Sequence, residues 1–81
     1  MATLRLFAAA REAAGTGRTT VDAATVGAVL EEAAVRYGEG FAAVCALSRI
    51  WLNGDPAERD TPVSEGDEVA VLPPVSGGSG P

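Results

Sequence analysis

Only one stretch of this chain carries a long helical stripe. Val26, Val29, Leu30, Ala33, Ala34 and Tyr37 fall at i, i+3, i+4, i+7, i+8 and i+11, which is one apolar face of an amphipathic helix. Thr25 stands at the N-cap position and Gly38 supplies a C-terminal stop. Short β-prone runs surround this helix. Residues 3–7 alternate, with Leu4 and Leu6 on one face, and residues 18–22 are polar and β-prone, suiting an edge strand paired to the first. Residues 49–54 read as a strand ending in an Asn-Gly turn signal, and residues 68–72 as the last strand. Residues 8–14 are alanine-rich and read as a short helical turn; residues 40–47 read as one or two more turns. Residues 55–62 read as a polar loop. With 81 residues there is room for one core. One main helix packed across one face of a mixed sheet then satisfies the layer rules, an α+β domain.

Composition excludes several functions. The chain has eleven acids against six arginines, a net charge of −5, 47% apolar residues and no histidine. The acidic balance argues against nucleic acid and is compatible with a basic partner surface. No apolar run approaches the ~18 residues of a membrane span, and no signal-peptide pattern opens the chain, so the cytoplasm is the expected location. Without histidine and with one cysteine, no Cys/His zinc site and no Ser-His-Asp or Cys-His catalysis is expected. Cys45 lies in an apolar segment with nothing basic placed to lower its pKa, and reads as a core thiol. Glu31 and Glu32 read as a solvated helix face, with Glu32 and Arg36 an i,i+4 pair. Lysine is also absent, so side-chain-linked chains of this protein on itself are excluded.

Alternation divides the strand residues between two faces. Leu4, Leu6, Ile50, Leu52, Val69 and Val71 should face the helix; Phe7, Trp51, Ala70 and Leu72 fall on the other side. An aromatic and aliphatic group on an uncovered sheet face is a candidate partner patch. The competing expectation is that residues 8–14 or the 55–62 loop fold over it.

The end of the chain carries the functional signal. Residues 72–78 read Leu-Pro-Pro-Val-Ser-Gly-Gly, after Glu65-Gly66-Asp67-Glu68-Val69, and Ser79-Gly80-Pro81 follow. Proline stiffens the exit from the sheet. A Gly-Gly tip can lie extended in a channel too narrow for side chains. The plain alternative is a loose Gly/Ser terminus. With Pro-Pro-Val before it, the segment resembles the end of the small, sulfur-carrying subunit of molybdopterin synthase (MoaD-type), a group allied to ThiS-type carriers and ubiquitin-like proteins. The resemblance runs from the first strand to Gly78. It implies a ubiquitin-like β-grasp domain over residues 1–75, and a tail over 76–81 comprising Ser76, Gly77-Gly78 and a three-residue extension.

The resemblance also implies a chemistry. The Gly78 carboxylate would be adenylated by a MoeB-type enzyme using ATP and Mg, then converted to a thiocarboxylate that delivers sulfur at a MoaE-type large subunit. The chain itself would be a non-catalytic carrier subunit of a transferase and would bind no cofactor or metal. Gly77 and Gly78 would carry the reaction. Phe7, Trp51, Leu72, Pro73, Pro74, Val75 and Ser76 would meet partners; Ser76 has no base beside it and reads as a small spacer. From Leu72 the tip would reach on the order of 20 Å. Members that act directly end at the second glycine, whereas here Gly78 is bonded to Ser79. A tail-trimming peptidase is therefore expected. Three other readings stand beside this one: a sulfur carrier for thiamine thiazole or cysteine synthesis, a ubiquitin-like protein modifier, and a plain binding module with an unactivated tail.

Overall fold

The computed structural model describes residues 1–74. The expectations placed on Val75, Ser76, Gly77 and Gly78, and on the 76–81 tail, lie outside the described residues.

Alternating apolar residues at the two ends of the domain make the centre of the sheet. β1 (Ala2–Leu6) runs parallel to the strand Glu68–Leu72, with Leu4 beside Val69 and Leu6 beside Val71. A parallel pair needs a crossover rather than a hairpin, and the whole middle of the chain supplies it. Along that path come α1 (Ala8–Ala14), β2 (Arg18–Val21), α2 (Val26–Tyr37), α3 (Glu39–Leu47), β3 (Arg49–Leu52) and β4 (Asp55–Pro56). With Glu68–Leu72 as β5, the strand order is β2-β1-β5-β3-β4. β2 pairs antiparallel with β1, and β3 antiparallel with both β5 and β4. This is the expected α+β arrangement, a β-grasp.

The helical layer is larger than one main helix. Phe41 and Cys45 from α3, and Ala10 from α1, join Val26, Val29, Leu30 and Ala33 of α2 in the same buried cluster as Leu4, Leu6, Val21, Val69 and Val71. The Tyr37 and Phe41 rings, 5.4 Å apart and tilted by 59°, cross the α2–α3 junction. Gly38 serves that junction at φ 97, ending α2 and opening α3. Asn53 and Gly54 both take positive φ, the geometry of a two-residue hairpin turn that matches strand twist. The turn reverses the chain into β4, a two-residue strand within the segment expected to be loop.

Residues 57–63 are held against the start of α2. Thr25 caps the helix through Oγ1, which accepts from Ala28 N at 3.1 Å. Val26 N donates to the Thr61 carbonyl at 2.9 Å and Gly27 N to that of Arg59 at 2.8 Å. Helix-start N–H groups that would otherwise go unpaired are thus satisfied. Arg36 departs from expectation. It makes no ion pair with Glu32; its Nη1 donates to Thr19 Oγ1 at 2.9 Å and to the Thr20 carbonyl at 3.1 Å. An exposed i,i+4 pair contributes only a few tenths of a kcal/mol, so two fixed oxygens on the neighbouring edge strand win the guanidinium.

Candidate functional site: the open sheet face and the root of the tail

The register fixes what the uncovered face displays. Arg5 is opposite Ala70, and Ala70 opposite Trp51; Leu72 is opposite Arg49. Residues directly opposite in adjacent strands share a face. Leu4, Leu6, Val69 and Val71 are buried beneath the helices, so Arg5, Trp51, Ala70, Leu72 and Arg49 point away from them. Phe7, next in the alternation, is 38% exposed and Leu72 37%.

Neither segment that competed for this face covers it. α1 packs on the helical side, where Ala10 is fully buried in the core cluster. Of the 55–62 segment, residues 55–56 extend the sheet as β4, with Pro56 beside Trp51, and Arg59 and Thr61 are tied to the start of α2. The face therefore stays open, with a shallow depression of about 330 Å³ lined by Phe7, Trp51, Gly54, Glu68, Ala70 and Leu72. A second hollow of about 350 Å³ continues it toward the chain's exit, lined by Leu47, Arg49, Trp51, Leu72, Pro73 and Pro74. Trp51 and Leu72 line both. The apolar patch and the root of the tail form one continuous surface.

All five expected partner residues within the described chain line these two hollows: Phe7, Trp51, Leu72, Pro73 and Pro74. Pro73 is buried and Pro74 exposed. The first proline packs into the domain and the second does not. Leu47, 75% exposed, and Arg49 also line the site, and sequence reasoning passed over both. Arg49 stands two residues from Trp51, so the same alternation that found the indole points to it. Leu47 ends a helix, and only the fold brings it beside the exit.

Polar contacts order the margin. Arg5 Nη1 lies 3.4 Å from Glu68 Oε2, and the guanidinium sits 5.6 Å from the Phe7 ring centroid. At the far end of β5, Asn53 clasps the start of the strand: Glu68 N donates to its Oδ1 at 2.9 Å, and its Nδ2 donates to Asp67 Oδ1 at 3.0 Å. Asp67 Oδ2 accepts from Ser64 N at 2.8 Å. These bonds, that from Ser64 first and that from Asn53 second, hold the Asp67 carboxyl below the usual aspartate pKa.

Cys45 is buried in α3. Burial raises its pKa, with Arg59 pulling it back in part, so the thiol stays protonated at neutral pH and is no nucleophile. Among the described residues no cluster of three or more His, Cys, Asp or Glu side chains is placed to hold a metal ion. No helix there is long and apolar enough to cross a membrane.

The sheet's open apolar face runs into the Pro73-Pro74 segment, and the family profile of the ThiS family matches residues 4–78. The chain belongs to the ThiS family. Among solved structures this ThiS-family chain is similar to small archaeal modifier protein 1 of Methanosarcina acetivorans, at 28% identity and TM-score 0.83, with 94% of each chain covered. It is similar to SAMP1 of Haloferax volcanii at 30% identity and TM-score 0.75, over 94% of this chain and 97% of that one. A Pyrococcus furiosus protein proposed as molybdopterin converting factor, subunit 1, is 28% identical at TM-score 0.80, over 91% and 97%. No curated protein matches the chain in sequence.

Proposed function

We propose that this chain is the sulfur-carrying small subunit of a molybdopterin synthase, acting in the cytoplasm with sulfur held as a thiocarboxylate on Gly78. One observation carries the reading: the apolar face of Phe7, Trp51 and Leu72 runs without a break into the Pro73-Pro74 exit, and Val-Ser-Gly-Gly follows. A partner docked on this face lies beside the point where the tail begins. The likeness to the Pyrococcus furiosus protein supports the choice of pathway.

The chain supplies no acid, base or nucleophile besides its own terminus. A MoeB-type enzyme supplies MgATP. The Gly78 carboxylate attacks the α-phosphorus and releases pyrophosphate, because a free carboxylate is a poor acyl donor and the mixed anhydride a good one. A hydrosulfide equivalent then displaces AMP. The resulting sulfur anion enters the pocket of a MoaE-type subunit, which holds the pterin precursor. All of this needs a free carboxylate on Gly78, so a peptidase must first remove Ser79-Gly80-Pro81.

The test offers purified adenylating enzyme, MgATP and a sulfide source to two chains, one ending at Gly78 and one at Pro81. The shorter chain should gain the mass difference of sulfur for oxygen while the longer stays unchanged. Equal thiocarboxylation of the longer chain, with its last three residues still attached, refutes the trimming step. Failure of both chains refutes the carrier reading.

A second reading has its own support. The similarity to two small archaeal modifier proteins favours a ubiquitin-like modifier that forms an isopeptide bond to target lysines. Denaturing gels of cell lysate separate the two: a modifier gives covalent high-mass species and a pure carrier gives none.

A further inference from the structure

The chain's net charge of −5 conceals a segregation that the strand register exposes. Arg5 is opposite Arg18 on β2 and opposite Ala70 on β5, and Ala70 is opposite Trp51 on β3. A single row across four strands therefore reads Arg18, Arg5, Ala70, Trp51 on the open face. Arg49, opposite Leu72, flanks the row beside the tail's exit. Half of the chain's six arginines thus surround the apolar centre. The strands place one acid on this face, Glu68, and it is engaged by Arg5. Arg18 and Arg49 are exposed and make no ion pair among the described residues.

The acids lie elsewhere. Asp22, Glu31 and Glu32 line a hollow on the outer side of α2, on the helical side of the sheet. Away from the open face, then, the domain is more acidic than its total charge indicates.

We infer that the open face docks onto an acidic-rimmed apolar site on a protein partner, with the partner's carboxylates meeting Arg5, Arg18 and Arg49 around Trp51 and Leu72. The net charge alone is compatible with a basic partner surface; the fold gathers the opposite sign on the open face. An acidic partner is attracted by this face and repelled by the helical side, so charge selects the orientation in which the tail points at the partner. Steering of this kind acts on the association rate and fades with salt. The centre of Trp51, Ala70 and Leu72 offers no cation to a phosphate backbone and the chain as a whole is anionic, which favours protein over nucleic acid. The inference rests on the carrier reading only in taking the adenylating enzyme as the partner.

The experiment measures stopped-flow association of the 81-residue chain with the adenylating enzyme of the same cells, across a range of salt. Arg18→Glu/Arg49→Glu should associate about tenfold more slowly at low salt, with the gap closing at high salt. Glu31→Arg/Glu32→Arg should keep the wild-type rate or exceed it. Both pairs are exposed, and circular dichroism checks that each variant folds. Wild-type rates for the arginine variant, or a slowing confined to the glutamate variant, overturn the inference. Displacement of the enzyme by a single-stranded oligonucleotide overturns the assignment to a protein partner. The chain ending at Gly78 is assayed for thiocarboxylation in parallel. If it reacts while the arginine variant associates normally, the acidic rim fails and the carrier reading stands. If it neither binds nor reacts, both fall.

Discussion

Trp51→Ala is the sharpest probe of the open face. The indole lies across Ala70, bordered by Leu72, Pro73 and Pro56, and is partly exposed. A tryptophan carries up to roughly 250 Å² of buriable surface. If docking covers about 80 Å² of what remains open here, the ring contributes about 2 kcal/mol at ~25 cal/mol per Å², or roughly 30-fold in Kd. Truncation also removes contacts within the domain. It leaves a surface depression that water fills, however, so the cost to the fold is a transfer cost without a sealed cavity. Leu4, fully buried between sheet and helices, incurs both, and Leu4→Ala should cost about 2–5 kcal/mol. Calorimetric titration against the adenylating enzyme, well below the melting temperature, gives the affinity. Urea unfolding of both variants gives the stability. Unchanged affinity for Trp51→Ala, with a stability loss equal to that of Leu4→Ala, would show that the indole belongs to the core and that the faces are wrongly assigned.

In a chain ending at Gly78, Gly77→Val or Gly78→Val should abolish thiocarboxylation and leave the urea midpoint unchanged, because a branched side chain cannot follow glycine through a narrow channel; normal adenylation of either variant contradicts this. Asp67 has a folded pKa below its unfolded value of about 3.9, so its stabilisation is complete above that value and is lost as pH falls through the folded one. Asp67→Asn should therefore lower stability at pH 7 and flatten the acid limb of the stability–pH curve, and an unaltered acid limb counts against the Ser64–Asn53 clasp. At Gly27 a Cβ would meet the Arg59 carbonyl oxygen at 3.0 Å and the Arg59 Cβ at 3.3 Å. Helix propensity favours alanine there by about 1 kcal/mol, but overpacking a pinned backbone costs about 1–3. Gly27→Ala should then destabilise by about 1 kcal/mol, and a raised Tm refutes the argument.

What could be read from the residues follows the range of the forces involved. The α2 stripe, its Thr25 cap and the alternation of β1, β3 and β5 are local periodicities, and each appears in the structure where it was expected. The same alternation placed Phe7, Trp51 and Leu72 together. The parallel β1–β5 pair joins residues more than sixty positions apart; no local period encodes such a pairing. β4 escaped because two residues show no alternation. Arg36 was assigned to Glu32 because neighbours along a helix are visible in sequence, while Thr19 and Thr20 come within its reach only once β2 is laid beside α2. Net charge is silent about the open face for the same reason. A sum over the chain contains no directions, and Arg18, Arg5 and Arg49 gather on one face only because two antiparallel registers and one parallel register align them. The arginine-bearing face therefore depends on pairings distant in sequence. A one-residue slip of β2 would leave the chain's composition unchanged, yet would carry Arg18 from the open face to the helical one and take Val21 out of the core.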